Sequence, residues 1–338
     1  MAATLALCAV VGVSIVGASA VPASASPSAT VATTAPASAS EPSMGLMLQL
    51  SSLQGTTSPA TLRTWLERIR TDHHNKSKPG YIGTFALQDI ASATGALYTQ
   101  YLDVIAPYLP GGATPIFSNV YVGTVDLPWT GKGSKYIEGI ESSAFRAQNI
   151  KVSLAAAKAF RARYPKIVND WYVTYEANLS GFWDSKIEIG YRTYISQLMT
   201  TLSGVRPSRA YLWSPAFWTS YATEPAWAQP GLKANLSDLF AHLPTHVTLD
   251  VQDFVGQSGG AASKESAAAW VGYLKKYWSA TLARVQINVE QFTQSTNGAI
   301  SAQTTSEIAA RESYYASKSI ELGPAWEIRY WHQRLYGT

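Results

Sequence analysis

The sequence predicts a (β/α)8 barrel, an α/β fold, on three observations. Strand-like runs of β-branched and aromatic residues alternate eight times with runs of helical period, the pattern of a parallel sheet with crossover helices. Loops that follow the strand-like runs are longer than those that precede them, as expected when one face of a barrel carries the site. Two runs, Asp170-Trp171-Tyr172-Val173-Thr174-Tyr175-Glu176 and Val285-Gln286-Ile287-Asn288-Val289-Glu290, place a glutamate just where strand gives way to loop residues. The competing arrangement, an open doubly wound sheet, would carry a Gly-rich turn after the first strand, and none is present.

The chain opens outside the fold. Ala3 to Ala20 is apolar and small, ending in Ala18-Ser19-Ala20 with Ala23-Ser24-Ala25 close behind. Residues 1–25 are expected to be a signal peptide, although the usual basic start is missing. Residues 26–43, rich in Ala, Ser, Pro and Thr, are expected to be a linker. Residues 44–338 are then the barrel, one domain of ordinary barrel size.

The elements follow in order. Gly45 to Leu50 is strand one. Ser58-Pro59 opens a helix, with Ser58 as N-cap and Leu62, Trp65, Leu66 and Ile69 as its apolar stripe. Tyr81 to Ile90 is strand two and Ala96 to Leu109 its helix, stopped by Pro110-Gly111-Gly112. Pro115 to Val125 is strand three, followed by Asp126-Leu127-Pro128-Trp129. Ser142 to Tyr164 is a long helix stopped by Pro165. Ile167 to Glu176 is strand four and Ile187 to Leu202 its helix. Arg209 to Pro215 is strand five, with a helix at Leu232 to Leu243. His246 to Gln252 is strand six, and Lys264 to Leu282 its helix. Arg284 to Glu290 is strand seven, Ala302 to Ile320 its helix, and Ala325 to Trp331 strand eight.

Strand alternation assigns faces. Val285, Ile287 and Val289 suit the helix layer, which turns Gln286, Asn288 and Glu290 into the lumen. Trp171, Val173 and Tyr175 point outward, leaving Tyr172, Thr174 and Glu176 inward. Val247, Leu249 and Val251 likewise leave Thr248, Asp250 and Gln252 inward. Two carboxylates therefore stand at one mouth. Either alone could be held in a structural ion pair; the two together would need a cation each, and Arg329 on strand eight is the only one in reach. Asp253 is a third carboxylate there, or else an Asx turn. Trp129, Trp183, Trp218 and Trp331 all follow strands, and rings at a mouth suit the C–H faces of sugars. The residues expected to contact a ligand are Asp253, Gln252, Asn178, Trp183, Trp218, Trp129, Trp331, Tyr172 and Asn288.

Composition narrows the partners. The net charge is +4 with no basic run, so neither nucleic acid nor an anionic membrane is expected as a partner. Cys8 is the only cysteine, which leaves residues 44–338 without disulfide or thiolate chemistry. No pair of His stands at ligand spacing, and no phosphate-binding or dinucleotide fingerprint occurs. No metal or cofactor is expected, and the barrel is expected to act as a monomer.

Three motifs together resemble a known family. Trp171-Tyr172-Val173-Thr174-Tyr175-Glu176, Val251-Gln252-Asp253-Phe254-Val255-Gly256 and Asn288-Val289-Glu290-Gln291-Phe292 are similar to segments of a bacterial domain-of-unknown-function family numbered 4434. Leu212-Trp213-Ser214-Pro215-Ala216-Phe217-Trp218 matches its Ser-Pro-aromatic segment, and the likeness runs from Tyr81 to the end. That resemblance implies a TIM barrel related to glycoside hydrolases. The layout also resembles the clan of retaining barrel glycosidases, which implies Glu176 as acid/base and Glu290 as nucleophile. Tyr175 stands where that clan usually has Asn.

The resemblance implies an exported glycoside hydrolase with carbohydrate as its partner. Glycosidic cleavage needs one protonated and one ionised carboxyl. Mutual repulsion and burial would keep Glu176 protonated, and donors such as Gln286, Asn288 or Arg329 would keep Glu290 ionised. The alternatives are a non-catalytic carbohydrate-binding or surface protein on the same barrel, and a structural scaffold.

Overall fold

The computed structural model describes residues 44–75, 81–125, 127, 138–217, 230–244, 246–257, 262–295 and 297–337. The expected signal peptide and linker lie outside these residues, as do Asp126, Trp129 and Trp218. The barrel falls within residues 41–338, one of two units into which the chain divides.

In chain order the elements are β1 (Met44–Gln49), α1 (Leu50–Leu53), α2 (Pro59–Arg68), β2 (Ile82–Asp89), α3 (Thr99–Ile105), β3 (Asn119–Val122), α4 (Ser143–Arg163) and β4 (Asp170–Val173). They continue with α5 (Ser185–Val205), β5 (Tyr211–Trp213), α6 (Pro230–Ala241), β6 (Val247–Gln252), α7 (Lys264–Trp278) and β7 (Arg284–Asn288). The last are β8 (Phe292–Gln294), β9 (Ile300–Ala302), α8 (Thr305–Ser317), β10 (Pro324–Ala325) and α9 (Ile328–Tyr336).

Eight strands form one parallel sheet in the order β10-β1-β2-β3-β4-β5-β6-β7. The two ends of that sheet meet at a parallel bridge between Ile287 and Leu322, where Ile287 N–H donates to Glu321 O and Gly323 N–H donates back to Ile287 O. The expected (β/α)8 barrel is therefore the observed fold. Helix starts carry the caps their sequences announce: Ser58, Ser142 and Asp184 each accept a first-turn N–H, and Ser263 and Thr304 form capping boxes.

Two apolar layers result. Leu46, Phe85, Val120, Trp171, Trp213, Leu249 and Ile287 face the helices within the main core. A smaller cluster of Met47, Ala86, Tyr172 and Leu212 plugs the lumen, with Tyr121 and Trp326 packed on it. Alternate residues of one strand thus serve different cores, as the pleat requires.

Three departures from the expected elements bear on the site. Strand four was expected to reach Glu176, yet its ladder ends at Val173. Beyond it the Thr174 hydroxyl takes over, accepting Thr124 N–H at 2.9 Å where a backbone carbonyl would otherwise stand. A second departure is the antiparallel hairpin β8–β9, which alternation did not announce because each arm is three residues long. The third is strand eight, which is only Pro324–Ala325 and gives way to α9. Ile328, Trp331 and His332 are buried at the i, i+3, i+4 spacing of a helix, so Trp331 belongs to α9. Its ring meets His73 edge-on at 5.0 Å, away from the strand ends.

Candidate active site

Glu176 stands three residues past the last paired residue of β4, on the face of Tyr172 and Thr174. Tyr175, between them, packs outward against Phe145, Tyr191 and Tyr194, each ring centroid 5.7 Å away. The Tyr191 hydroxyl donates to Glu176 O at 2.5 Å, tying the backbone here to α5. The carboxyl is addressed from within the barrel. Gln88 Nε2, on β2, donates to Glu176 Oε1 at 2.7 Å, and the Gln252 side chain also bonds to the carboxylate. Burial raises the Glu176 carboxyl to about 7, with the Gln252 hydrogen bond opposing. The cause is desolvation rather than the repulsion expected from Glu290.

Glu290 lies two residues past β7 and is 2 % exposed. The segment after β6 folds over it: Gly256 N–H donates to Oε2 at 2.8 Å and Gln257 Nε2 to Oε1 at 3.2 Å. A Cβ on residue 256 would sit 2.2 Å from Phe292 O and 2.9 Å from Glu290 Oε2, so glycine permits the approach. Gln294 N–H donates to Gly256 O at 2.7 Å, which joins this segment to the β8–β9 hairpin.

Asp253, expected to contact a ligand, is instead fully buried and bonded to protein groups. Its Oδ1 accepts the N–H groups of Val255 and Glu290, each at 3.3 Å. Its Oδ2 accepts from Arg311 at 2.6 Å and from the Tyr315 hydroxyl at 3.1 Å. Both oxygens are committed and the side chain is fully buried. The Val255 contact is the Asx turn that was the other reading of this residue. Arg311, on α8, also donates to Glu290 O and Gln303 Oε1.

The protonation of Glu290 differs from expectation. Burial first and the Asp253 charge second raise it, to about 8 in all; Gln257, Arg311 and the Gly256 N–H pull the other way without prevailing. Arg311, the one buried Arg or Lys among the described residues, is spent on Asp253, so Glu290 shares its pocket with a negative charge. None of the expected donors reaches it. Arg329 pairs with Glu327 at 2.7 Å. Gln286 and Asn288 donate to Asp250 at 3.3 and 3.4 Å.

Other expected residues fall at different depths. Tyr172 belongs to the lumen plug. Asn288 is buried, its amide held by Met47, Ser214 and Asp250 while its Oδ1 accepts Trp326 N–H at 2.9 Å. Both therefore support the site from below instead of lining it. Gln252 is partly exposed and donates to Ser214 O at 3.0 Å. Asn178 bridges to Ala216 beside the mouth. The backbone of Trp183 closes the short turn Leu179–Trp183, and its side chain lies outside the described residues. Phe182 and Phe217 are buried loop packing.

Sequence reading missed Gln88 and Trp326. Trp326 lies just past β10, partly exposed, against Phe292 at 5.0 Å and Tyr330 at 5.9 Å. Its indole N–H donates to Gln88 Oε1 at 3.2 Å. Alternation could have found Gln88, which shares the inward face of β2 with Ala86. Trp326 is hidden in the sequence because Ala325 to Trp331 reads as one strand, whereas the strand ends at Ala325. No group of three or more His, Cys, Asp or Glu among the described residues is placed to hold a metal ion. No described helix is long and apolar enough to cross a membrane.

Solved structures share this architecture. A candidate alpha-L-fucosidase from Bacteroides thetaiotaomicron VPI-5482 superposes with a TM-score of 0.60 at 13% identity, over 90% of this chain and 91% of that one. The glycoside hydrolase domain of PgaB (BpsB) from Bordetella bronchiseptica superposes with a TM-score of 0.51 at 12% identity, over 87% and 96%. At these identities the likeness is one of fold: this chain shares the (β/α)8 barrel of those two structures. No family model and no curated protein matches the sequence.

Proposed function

We propose that the chain is an exported glycoside hydrolase that cleaves O-glycosidic bonds of an oligo- or polysaccharide by a retaining mechanism. The observation that carries this reading is the pair Glu176 and Glu290, two largely buried carboxyls at the strand-four and strand-seven ends of one barrel mouth. Glu176 gives its proton to the glycosidic oxygen as the bond to the anomeric carbon breaks. Glu290 forms a bond to that carbon from the opposite face. Glu176, now ionised, takes a proton from water, whose oxygen displaces Glu290. Gly256 and Gln257 hold the Glu290 oxygens in place for attack. Kinship with the domain-of-unknown-function family numbered 4434 is part of this reading, supported by the three strand-end motifs. Reducing-sugar release from a polysaccharide panel, wild type against Glu290→Gln, tests it; equal release by both sinks it.

One observation favours a second reading. Glu290 is raised to about 8, so a mostly neutral group stands at neutral pH where a nucleophile is needed. A carbohydrate-binding protein needs no nucleophile. Binding on a glycan array without release of sugar would select that alternative.

A further inference from the structure

Gln88 is buried on the inward face of β2, between Glu176 and Trp326, and its amide has two ends with different partners. An indole N–H can only donate, so the end facing Trp326 is the carbonyl oxygen Oε1. The end facing Glu176 is then the NH2 group, 2.7 Å from Oε1 of the carboxyl. The amide cannot turn over, because turning would set NH2 against the indole N–H, two donors face to face.

We infer that Gln88 is a positioning residue for Glu176 and that Trp326 locks it, so that the amide always presents a donor and never an acceptor to the carboxyl. The inference rests on reading Glu176 as the acid/base. A locked donor favours the ionised carboxyl. It also engages Oε1, alongside the bond that Gln252 makes to the same carboxyl. Other titratable groups nearby are engaged elsewhere. Asp89 on β2 accepts Leu50 N–H at 2.6 Å, Tyr121 on β3 packs on the lumen plug, and Tyr191 on α5 donates to Glu176 O. Asp250 on β6 accepts from Gln286 and Asn288, Glu327 past β10 pairs with Arg329, and Glu290 is held by Gly256 and Gln257.

Trp326→Phe does not touch Glu176, yet it frees the Gln88 amide to turn and accept the Glu176 proton. That stabilises the protonated carboxyl. Gln88→Met removes the donor and acts in the same direction. The test is the titration midpoint of Glu176, read by carbon NMR on protein with carboxyl-labelled Glu and assigned with Glu176→Gln. Each single variant is expected to raise the midpoint by about one pH unit, the size of a hydrogen bond to a charged group. The double variant should show the Gln88→Met shift and no more, since Trp326 acts through Gln88. An unchanged or lowered midpoint in Trp326→Phe overturns the inference, as do additive shifts in the double variant. A merely structural role would lower thermal stability and leave the midpoint in place. The readout needs no substrate, so absence of glycosidase activity would defeat the functional reading and leave this result standing.

Discussion

Arg311 closes a 2.6 Å ion pair with Asp253, both side chains are buried, and both bond to the backbone of Glu290. The pair leaves Glu290 next to a negative charge whose counter-ion is already committed. Asp253→Asn should therefore lower the titration midpoint of Glu290, because the charge that opposes its ionisation is gone and Arg311 remains. The same change strands a buried guanidinium and should cost about 3–5 kcal/mol of stability. Urea unfolding and a carboxyl titration measure the two effects; a midpoint that rises refutes the account of Glu290.

The pH profile of activity should peak at neutral to mildly alkaline values. Below both midpoints the two carboxyls are protonated and no charged nucleophile exists. Above both they are ionised and no acid exists. Only the form with the proton on Glu176 and the charge on Glu290 works; with Glu176 at about 7 and Glu290 at about 8 it is the minority of the singly protonated forms, and its population peaks between those values. A kcat/KM profile centred near pH 5 would show that neither carboxyl is raised as described.

Glu290→Gln should abolish turnover while leaving the unfolding transition in place, since the amide keeps the shape. Glu176→Ala should spare substrates with good leaving groups, which need no protonation, and azide should then rescue turnover. Retention or inversion at the anomeric carbon, read by proton NMR, follows the carboxyl separation: about 5–5.5 Å for retention and about 6.5–9.5 Å for inversion. Retention is expected. Full activity of Glu290→Gln on every substrate tried would remove Glu290 from the mechanism.

Gly256→Ala should damage both stability and activity. The added methyl would collide with Phe292 O and crowd Glu290 Oε2. A cost of about 1–3 kcal/mol is typical of such overpacking, and the displaced N–H can no longer hold the carboxylate. A fully active and equally stable variant would mean that this segment does not clasp Glu290.

Export is expected to remove the start of the chain. Secreted material should begin between Val21 and Met44 by N-terminal sequencing. An intact Met1 on membrane-bound protein would refute this.

The sequence by itself determined the barrel and the direction of its strand-end carboxylates. Trp171, Val173 and Tyr175 read as outward, and Val285, Ile287 and Val289 likewise, because a strand has a fixed period of two and each face meets one kind of neighbour. Those rules are local, so ten residues suffice to apply them. The protonation and support of the site are not local. Gln88 is 88 residues from Glu176, and Arg311 is 58 from Asp253. Only closure of the barrel and docking of α8 brought these pairs together. The same holds for Glu290, whose Gly256 clasp comes from 34 residues away and whose raised midpoint comes from a buried neighbour. Trp331 shows the converse. Its sequence permits either period, and the turn after Ala325 settled it: Trp326 N–H bonds to the Asn288 side chain in place of a neighbouring strand. Burial and charge depend on everything packed around a group, so the tertiary structure alone decided which carboxyls can hold a proton.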